Sequence, residues 1–148
     1  MKLSTKGCYG LRAMVDLAQH QGEGPLLMQA IADRQGVSRK YLHALLTSLR
    51  AAGMVRSVRG SGGGYVLARR PADLPVLDIL EALEGSLDIS DCVRYAGTCE
   101  RSSECARHDI WAELSRAMAS WLHGLTLADL VAREAEKGHV PAAPMYYI

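Results

Sequence analysis

At Gly53 the hydrophobic period of this chain changes from helical to alternating, and that change sets the architecture. Upstream, three short blocks carry apolar residues at helical spacing. Ser4 and Thr5 are N-cap candidates for a first helix over 5–20, with Leu11, Met14, Val15 and Ala18 facing the core. Gly22, Gly24 and Pro25 break it. A second helix is expected over 27–34, with Met28, Ile31 and Ala32 inward and Gly36 as its stop. Ser38 caps a third over 39–52, whose inward face is Leu42, Leu45, Leu46 and Leu49. Downstream of Gly53, MVRSVRG, SGGG and YVLARR read as a two-stranded hairpin with a glycine-rich tip.

Two helices joined by the tight Q-G-V-S turn form a helix-turn-helix, and a basic hairpin directly after the second helix is a wing. The second helix of such a pair enters the major groove of DNA with its N-terminal residues at base edges. That places Ser38, Arg39, Lys40, Tyr41 and His43 near double-stranded DNA. Arg39 and Lys40 suit phosphate or guanine. Ser38 also serves as a helix cap, and Tyr41 also suits packing. In the wing, Arg59 suits a narrow minor groove, and Ser61 and Gly62 at the tip let backbone approach phosphate. A nucleotide-binding loop does not fit the glycines, because no lysine follows in the required register.

Charge supports this division. Residues 1–70 carry eleven Lys/Arg against three acids, a net of +8, while residues 71–148 carry six against thirteen, a net of −7. The basic half is the one to face a polyanion. At 148 residues, 49% of them hydrophobic, the chain makes one domain or one domain with an oligomerisation element. No apolar run approaches the ~20 residues of a membrane span, and MKLSTKGCYG lacks a signal peptide's apolar stretch. The expected location is cytoplasmic, where four cysteines read as metal ligands or redox groups rather than disulfides.

The second half opens with a fourth helix over 75–84, with Val76, Ile79, Leu80 and Leu83 inward. A cysteine loop fills 86–104. A long helix starts near Cys105 and carries Ile110, Trp111, Leu114, Met118, Trp121 and Leu122; its apolar set spreads over more than one stripe, which suits a two-fold partner helix. Gly124 interrupts it, and a last helix over 127–137 follows the cap candidate Thr126. The fold class is therefore mainly α with a small β-hairpin wing. A winged helix-turn-helix occupies 1–70, the cysteine loop and dimerisation helices 71–137, and a tail 138–148.

Within that half, Cys92, Cys99, Cys105 and His108 are spaced C-x6-C-x5-C-x2-H. Thiolate and imidazole together suit an iron–sulfur cluster, zinc or copper, not magnesium or calcium. Cys105 and His108 share a helix face. The gaps are wider than the C-x2–4-C knuckles of structural zinc, which favours a cluster. Cys8, in the first helix, reads as a small buried hydrophobe or as an alternative fourth ligand from across a dimer interface. No serine or cysteine sits in a recognisable motif with a base, so the chain is not expected to be an enzyme.

Three stretches carry a resemblance: MKLSTKGCYGLRAMVDLA, SRKYLHALLTSLRAAGMVRSVRGSGGGYVLAR and CARHDIWAELS. Together they resemble the Rrf-two family of bacterial winged-helix transcriptional regulators, and most closely its iron–sulfur cluster regulator branch. The resemblance implies a homodimer with a [2Fe-2S] cluster on Cys92, Cys99, Cys105 and His108, supplied by the iron–sulfur assembly machinery. It implies a repressor or activator of iron–sulfur assembly genes. This chain departs from that branch in its x6 first gap and in His43, where the branch often has an acid. In nitric-oxide-sensing relatives the residue matching Cys8 is a cluster ligand from the partner subunit, so the alternative is a repressor with a [4Fe-4S] cluster. Two readings of another kind are an iron–sulfur carrier or redox protein, and a zinc-stabilised binding protein.

Overall fold

The computed structural model describes residues 3–95 and 97–138. Three helices come first, α1 (Thr5–Gln19), α2 (Met28–Gln35) and α3 (Arg39–Ala51). The antiparallel pair β1 (Val55–Val58) and β2 (Gly64–Leu67) follows, with Val55 opposite Leu67 and Val58 opposite Gly64. Then come α4 (Val76–Glu84), the short α5 (Asp91–Arg94), the long α6 (Ala106–His123) and α7 (Leu127–Lys137). This is the mainly α fold with a hairpin wing that the sequence predicts. Of the expected tail, everything beyond Gly138 lies outside the described residues.

Local chemistry sets the boundaries. The Ser4 hydroxyl accepts from the Lys6 amide and caps α1, and the Ser38 hydroxyl accepts from the Tyr41 amide and caps α3. Gly36 ends α2 in the left-handed conformation, φ 65° and ψ 34°. At α7, Thr126 and Asp129 close a reciprocal capping box.

One core runs through the molecule. Met14 of α1, Ile31 of α2, and Leu42, Leu46 and Leu49 of α3 are fully buried with Ile79 of α4 and Leu127 of α7. The predicted inward faces of α1, α2 and α3 are there, with Leu11, Ala18 and Met28 at the edge. Of the α4 face, Ile79 and Leu83 join this core, while Val76 and Leu80 pack with Leu87 in a second, smaller cluster. The start of α7 is tied back to the segment entering α4 through backbone pairing. The Leu127 amide donates to the Leu74 carbonyl and the Val76 amide to the Leu125 carbonyl, each at 2.8 Å. A second link is ionic. Arg34 of α2 donates twice to Asp16 of α1, at 3.0 and 3.1 Å, and Asp16 is only 4% exposed. A carboxylate that buried persists because it is paired.

The long helix is the exception. Of its residues only Ser115 is buried, while Ile110, Trp111, Leu114 and Trp121 stand exposed, Trp121 at 62%. The segment expected as a loop over 86–104 also holds more structure than its pattern shows. α5 carries Cys92, and a 3-10 turn spans Ser102–Glu104. The Ile89 amide donates to the Ser115 hydroxyl at 3.1 Å, fastening the start of this arm to α6.

Candidate nucleic-acid interface and metal centre

The helix-turn-helix geometry leaves one face of α3 open. Arg39, Lys40 and His43 are exposed there, as are Thr47 and Arg50. Ser38 is spent locally as the cap. Tyr41 turns inward and is half-buried, its ring edge-on to Tyr9 with centroids 6.1 Å apart and its hydroxyl bonded to Thr5 Oγ1 at 3.3 Å.

The wing projects Arg59, Ser61 and Gly62 into solvent. Its tip is tight. The Gly63 amide donates to the Gly60 carbonyl at 3.0 Å, and a Cβ at residue 63 would lie 2.3 Å from the Val58 carbonyl oxygen. At the wing's base, Leu26 and Tyr65 exchange backbone hydrogen bonds at 2.9 and 2.8 Å. That pairing holds the hairpin against the segment entering α2. Arg56 is exposed on β1 beside these groups. Sequence reading counted Arg50 and Arg56 as charge without placing them on this face; helical and strand register carried that information.

The cysteine arm lies on the far side of α4. Cys105 is the N-cap residue of α6. Its thiol is held below the ordinary range by the His108 backbone amide first, then by the side chain, amide and charge of Arg107, against an opposing desolvation. None of these closes a capping hydrogen bond to the sulfur. His108 sits one turn into α6, half-buried. Its Nδ1 is fully buried without a hydrogen-bond partner among the described residues, with Asp109 Oδ1 3.6 Å away. Cys92 Sγ lies 3.2 Å from Ser90 Oγ. Cys92, Cys99 and Cys105 are half-buried free thiols, and Cys8 is exposed on α1.

Cys105 and His108 thus share one turn, as the spacing predicts. Among the described residues, however, no three His, Cys, Asp or Glu side chains converge on one metal position. The donor chemistry still fits a soft-metal group: three thiols with one activated by its helix, and an imidazole nitrogen buried without a partner.

One polar group had no signal in the sequence. Glu84, the last residue of α4, accepts from the Ser4 amide at 3.1 Å, the Ser4 hydroxyl at 2.5 Å and the Gly7 amide at 2.8 Å. Burial raises its pKa, but the Ser4 and Gly7 bonds and the nearby Lys6 charge outweigh it and hold the carboxyl below its ordinary value. Partners eighty residues apart leave no mark on local spacing.

Comparison with known proteins agrees with this geometry. A family model described as Rrf2, iron-dependent transcriptional regulator, matches residues 3–133. The HTH-type transcriptional regulator IscR of Aliivibrio salmonicida is 41% identical over 131 residues, 88% of this chain and 77% of that protein. Among solved structures, T. potens IscR superposes with a TM-score of 0.75 at 43% identity, covering 99% of this chain and 97% of that one. CymR, the global cysteine regulator of B. subtilis, superposes with a TM-score of 0.76 at 36% identity, covering 90% and 98%.

Proposed function

We propose, from the premise that this chain belongs to the Rrf2 family of transcriptional regulators, that it binds operator DNA as a homodimer and that an iron–sulfur cluster governs that binding. The observation that carries the cluster is the buried, unpartnered Nδ1 of His108 in the same helical turn as Cys105. A buried imidazole nitrogen without a hydrogen-bond partner is open to a ligand. Cys92, Cys99, Cys105 and His108 would hold a [2Fe-2S] cluster donated by the cell's assembly machinery. Bound there, the cluster supplies a group that oxidant, nitric oxide or iron shortage can remove.

The chain's own residues do the reading. Arg39, Lys40 and His43 face the major groove, and Arg59 with Ser61 and Gly62 of the wing faces the minor groove and its phosphates. Residues 1–70 form this reading head; residues 71–137 carry the ligands and the dimer helices. With Cys92, Cys99, Cys105 and His108 holding the cluster, the arm would close around Cys105 and His108 and α6 would be braced against the reading head. This closure changes operator choice only by the difference in cluster affinity between the two arrangements. The regulated genes are those of iron–sulfur assembly.

The exposure of Cys8 on α1 supports one second reading. It is open to a partner subunit, as a ligand of a [4Fe-4S] cluster in a nitric-oxide-sensing repressor would be.

Anaerobic purification with iron and sulfide counted per chain tests these readings. About two of each supports the [2Fe-2S] sensor, lost in His108→Ala and kept in Cys8→Ala. About four of each, lost in Cys8→Ala, moves the reading to the [4Fe-4S] sensor. A colourless protein containing zinc makes the centre structural. Equal operator affinity and site preference for the loaded protein and its Cys92→Ala form sinks the switch, whereas no sequence-selective DNA binding at all leaves a carrier or redox protein.

A further inference from the structure

We propose that the Glu84 carboxylate is a positioning residue that couples the cysteine arm to the recognition helix, by holding the N-terminus of α1 between them. The inference rests on the cluster-responsive reading above, and deepens it by naming the link.

The arm side of the link is short. Glu84 ends α4, and Gly85 follows at φ 82°, so the backbone turns at once into the arm. The Ser86 carbonyl, two residues on, accepts from the Arg94 guanidinium. Arg94 is the last residue of α5, the helix that carries Cys92. The position of the Cys92 helix is thus tied to backbone adjoining the Glu84 clamp.

The clamp itself is built closely. One oxygen, Oε1, receives the Ser4 amide, the Ser4 hydroxyl and the Gly7 amide. Bonds to an ionised acceptor are about twice as strong as neutral ones, and a helix N-terminus favours the negative charge. The fit requires glycine: a Cβ at residue 7 would lie 2.7 Å from Oε1, and one at residue 10 would lie 2.3 Å from Leu83 Cδ1. At no other described glycine does an added Cβ meet a side chain this closely. Here α4 and α1 are joined by three hydrogen bonds and close packing.

The reading-head side completes the path. Thr5, the first residue of α1, takes the Tyr41 hydroxyl at 3.3 Å. Tyr41 lies in the first turn of α3, next to Lys40 and two residues from His43. Displacement of α5 therefore reaches the base-reading turn through Ser86, Glu84 and Thr5. Three hydrogen-bonded contacts carry the path, Arg94 to Ser86, Glu84 to Ser4 and Gly7, and Tyr41 to Thr5, and short stretches of backbone join them. A purely structural Glu84 would hold α1 in place but leave the response to the cluster unchanged.

The test is a pair of measurements on the full-length dimer. Operator affinity is titrated for cluster-loaded and cluster-free forms of wild type and Glu84→Gln, which keeps the shape and removes the charge. Allosteric couplings commonly fall within about 5–150-fold in affinity. We expect the loaded-to-free ratio to collapse towards one in Glu84→Gln while iron and sulfide content stay at wild-type levels. An unchanged ratio, with only a lower melting temperature, overturns the proposal. A wild-type ratio of one overturns the cluster-responsive reading instead. The second measurement then judges the link by itself, in cluster-free protein. Arg94→Gln should speed amide exchange at residues 38–44 in the wild-type background and not in the Glu84→Gln background, because coupled sites are non-additive. Equal acceleration in both backgrounds, or none in either, overturns the link.

Discussion

At the residue scale, each functional side chain is explained by what it touches. Among the described residues Arg59 is exposed and has no ion-pair partner, so its loss should act on DNA. Arg59→Ala is expected to weaken operator binding and to lower the slope of log affinity against log salt by about one, with melting temperature unchanged; fluorescence anisotropy across a salt series checks both. Glu84 is the opposite case, fully engaged inside the fold. Its carboxyl is depressed below its ordinary value of 4.5. The stability it contributes is therefore present above that value and lost as pH falls through the lower, folded one. Denaturation of wild type and Glu84→Gln from neutral pH downward should show a gap at pH 6–7 of about 1 kcal/mol, in line with other helix-cap losses. The gap should close as pH falls below the ordinary value and through the lower, folded one, where the wild-type carboxyl takes up its proton. A gap that stays constant into acid would mean that the charge contributes nothing.

At the element scale, helix ends and faces behave differently. The α7 start depends on its Thr126–Asp129 box, and Thr126→Ala should cost about 1 kcal/mol by chemical denaturation. The α3 inward face depends on volume. Leu42 is fully buried, and Leu42→Ala should cost about 2–5 kcal/mol and disorder the recognition helix, read as lost operator binding at 37 °C. These ends and faces were legible from spacing: every helix of the reading head begins and stops within a residue or two of its predicted bounds. The cysteine arm was not. Its polar composition reads as loop, and α5 is four residues long, too short to show a period. What holds the arm is the Ser115 hydroxyl and the Ser86 carbonyl, neither of which has a pattern to find.

At the scale of the whole molecule, the apolar face of α6 is the unmet demand. Ile110 is 55% exposed and Leu114 49%, with Trp111 and Trp121 beside them in sequence register. An apolar face of this size on a soluble helix marks an interaction surface, and in the proposed homodimer it meets its own copy across a two-fold axis. Ile110→Glu with Leu114→Glu should turn a dimer into a monomer by sedimentation velocity and weaken binding to a two-half-site operator far more than to a single half-site. A pair that sediments as wild type places the dimer seam elsewhere.

Element order and the wing were readable in the chain itself, because each rests on local rules: periodicity, caps and glycine turns act within a few residues. Which residues meet across the fold was not, because contact between Glu84 and Ser4, Arg34 and Asp16, or Leu127 and Leu74 depends on how the elements pack. Packing also decided what periodicity had left open on α6, turning Ser115 inward and leaving both tryptophans in solvent. Local chemistry names the parts of the reading head and the candidate ligands; only tertiary contacts, the core for α1 and α3 and the Ser115 and Ser86 hydrogen bonds for the arm, bring them together.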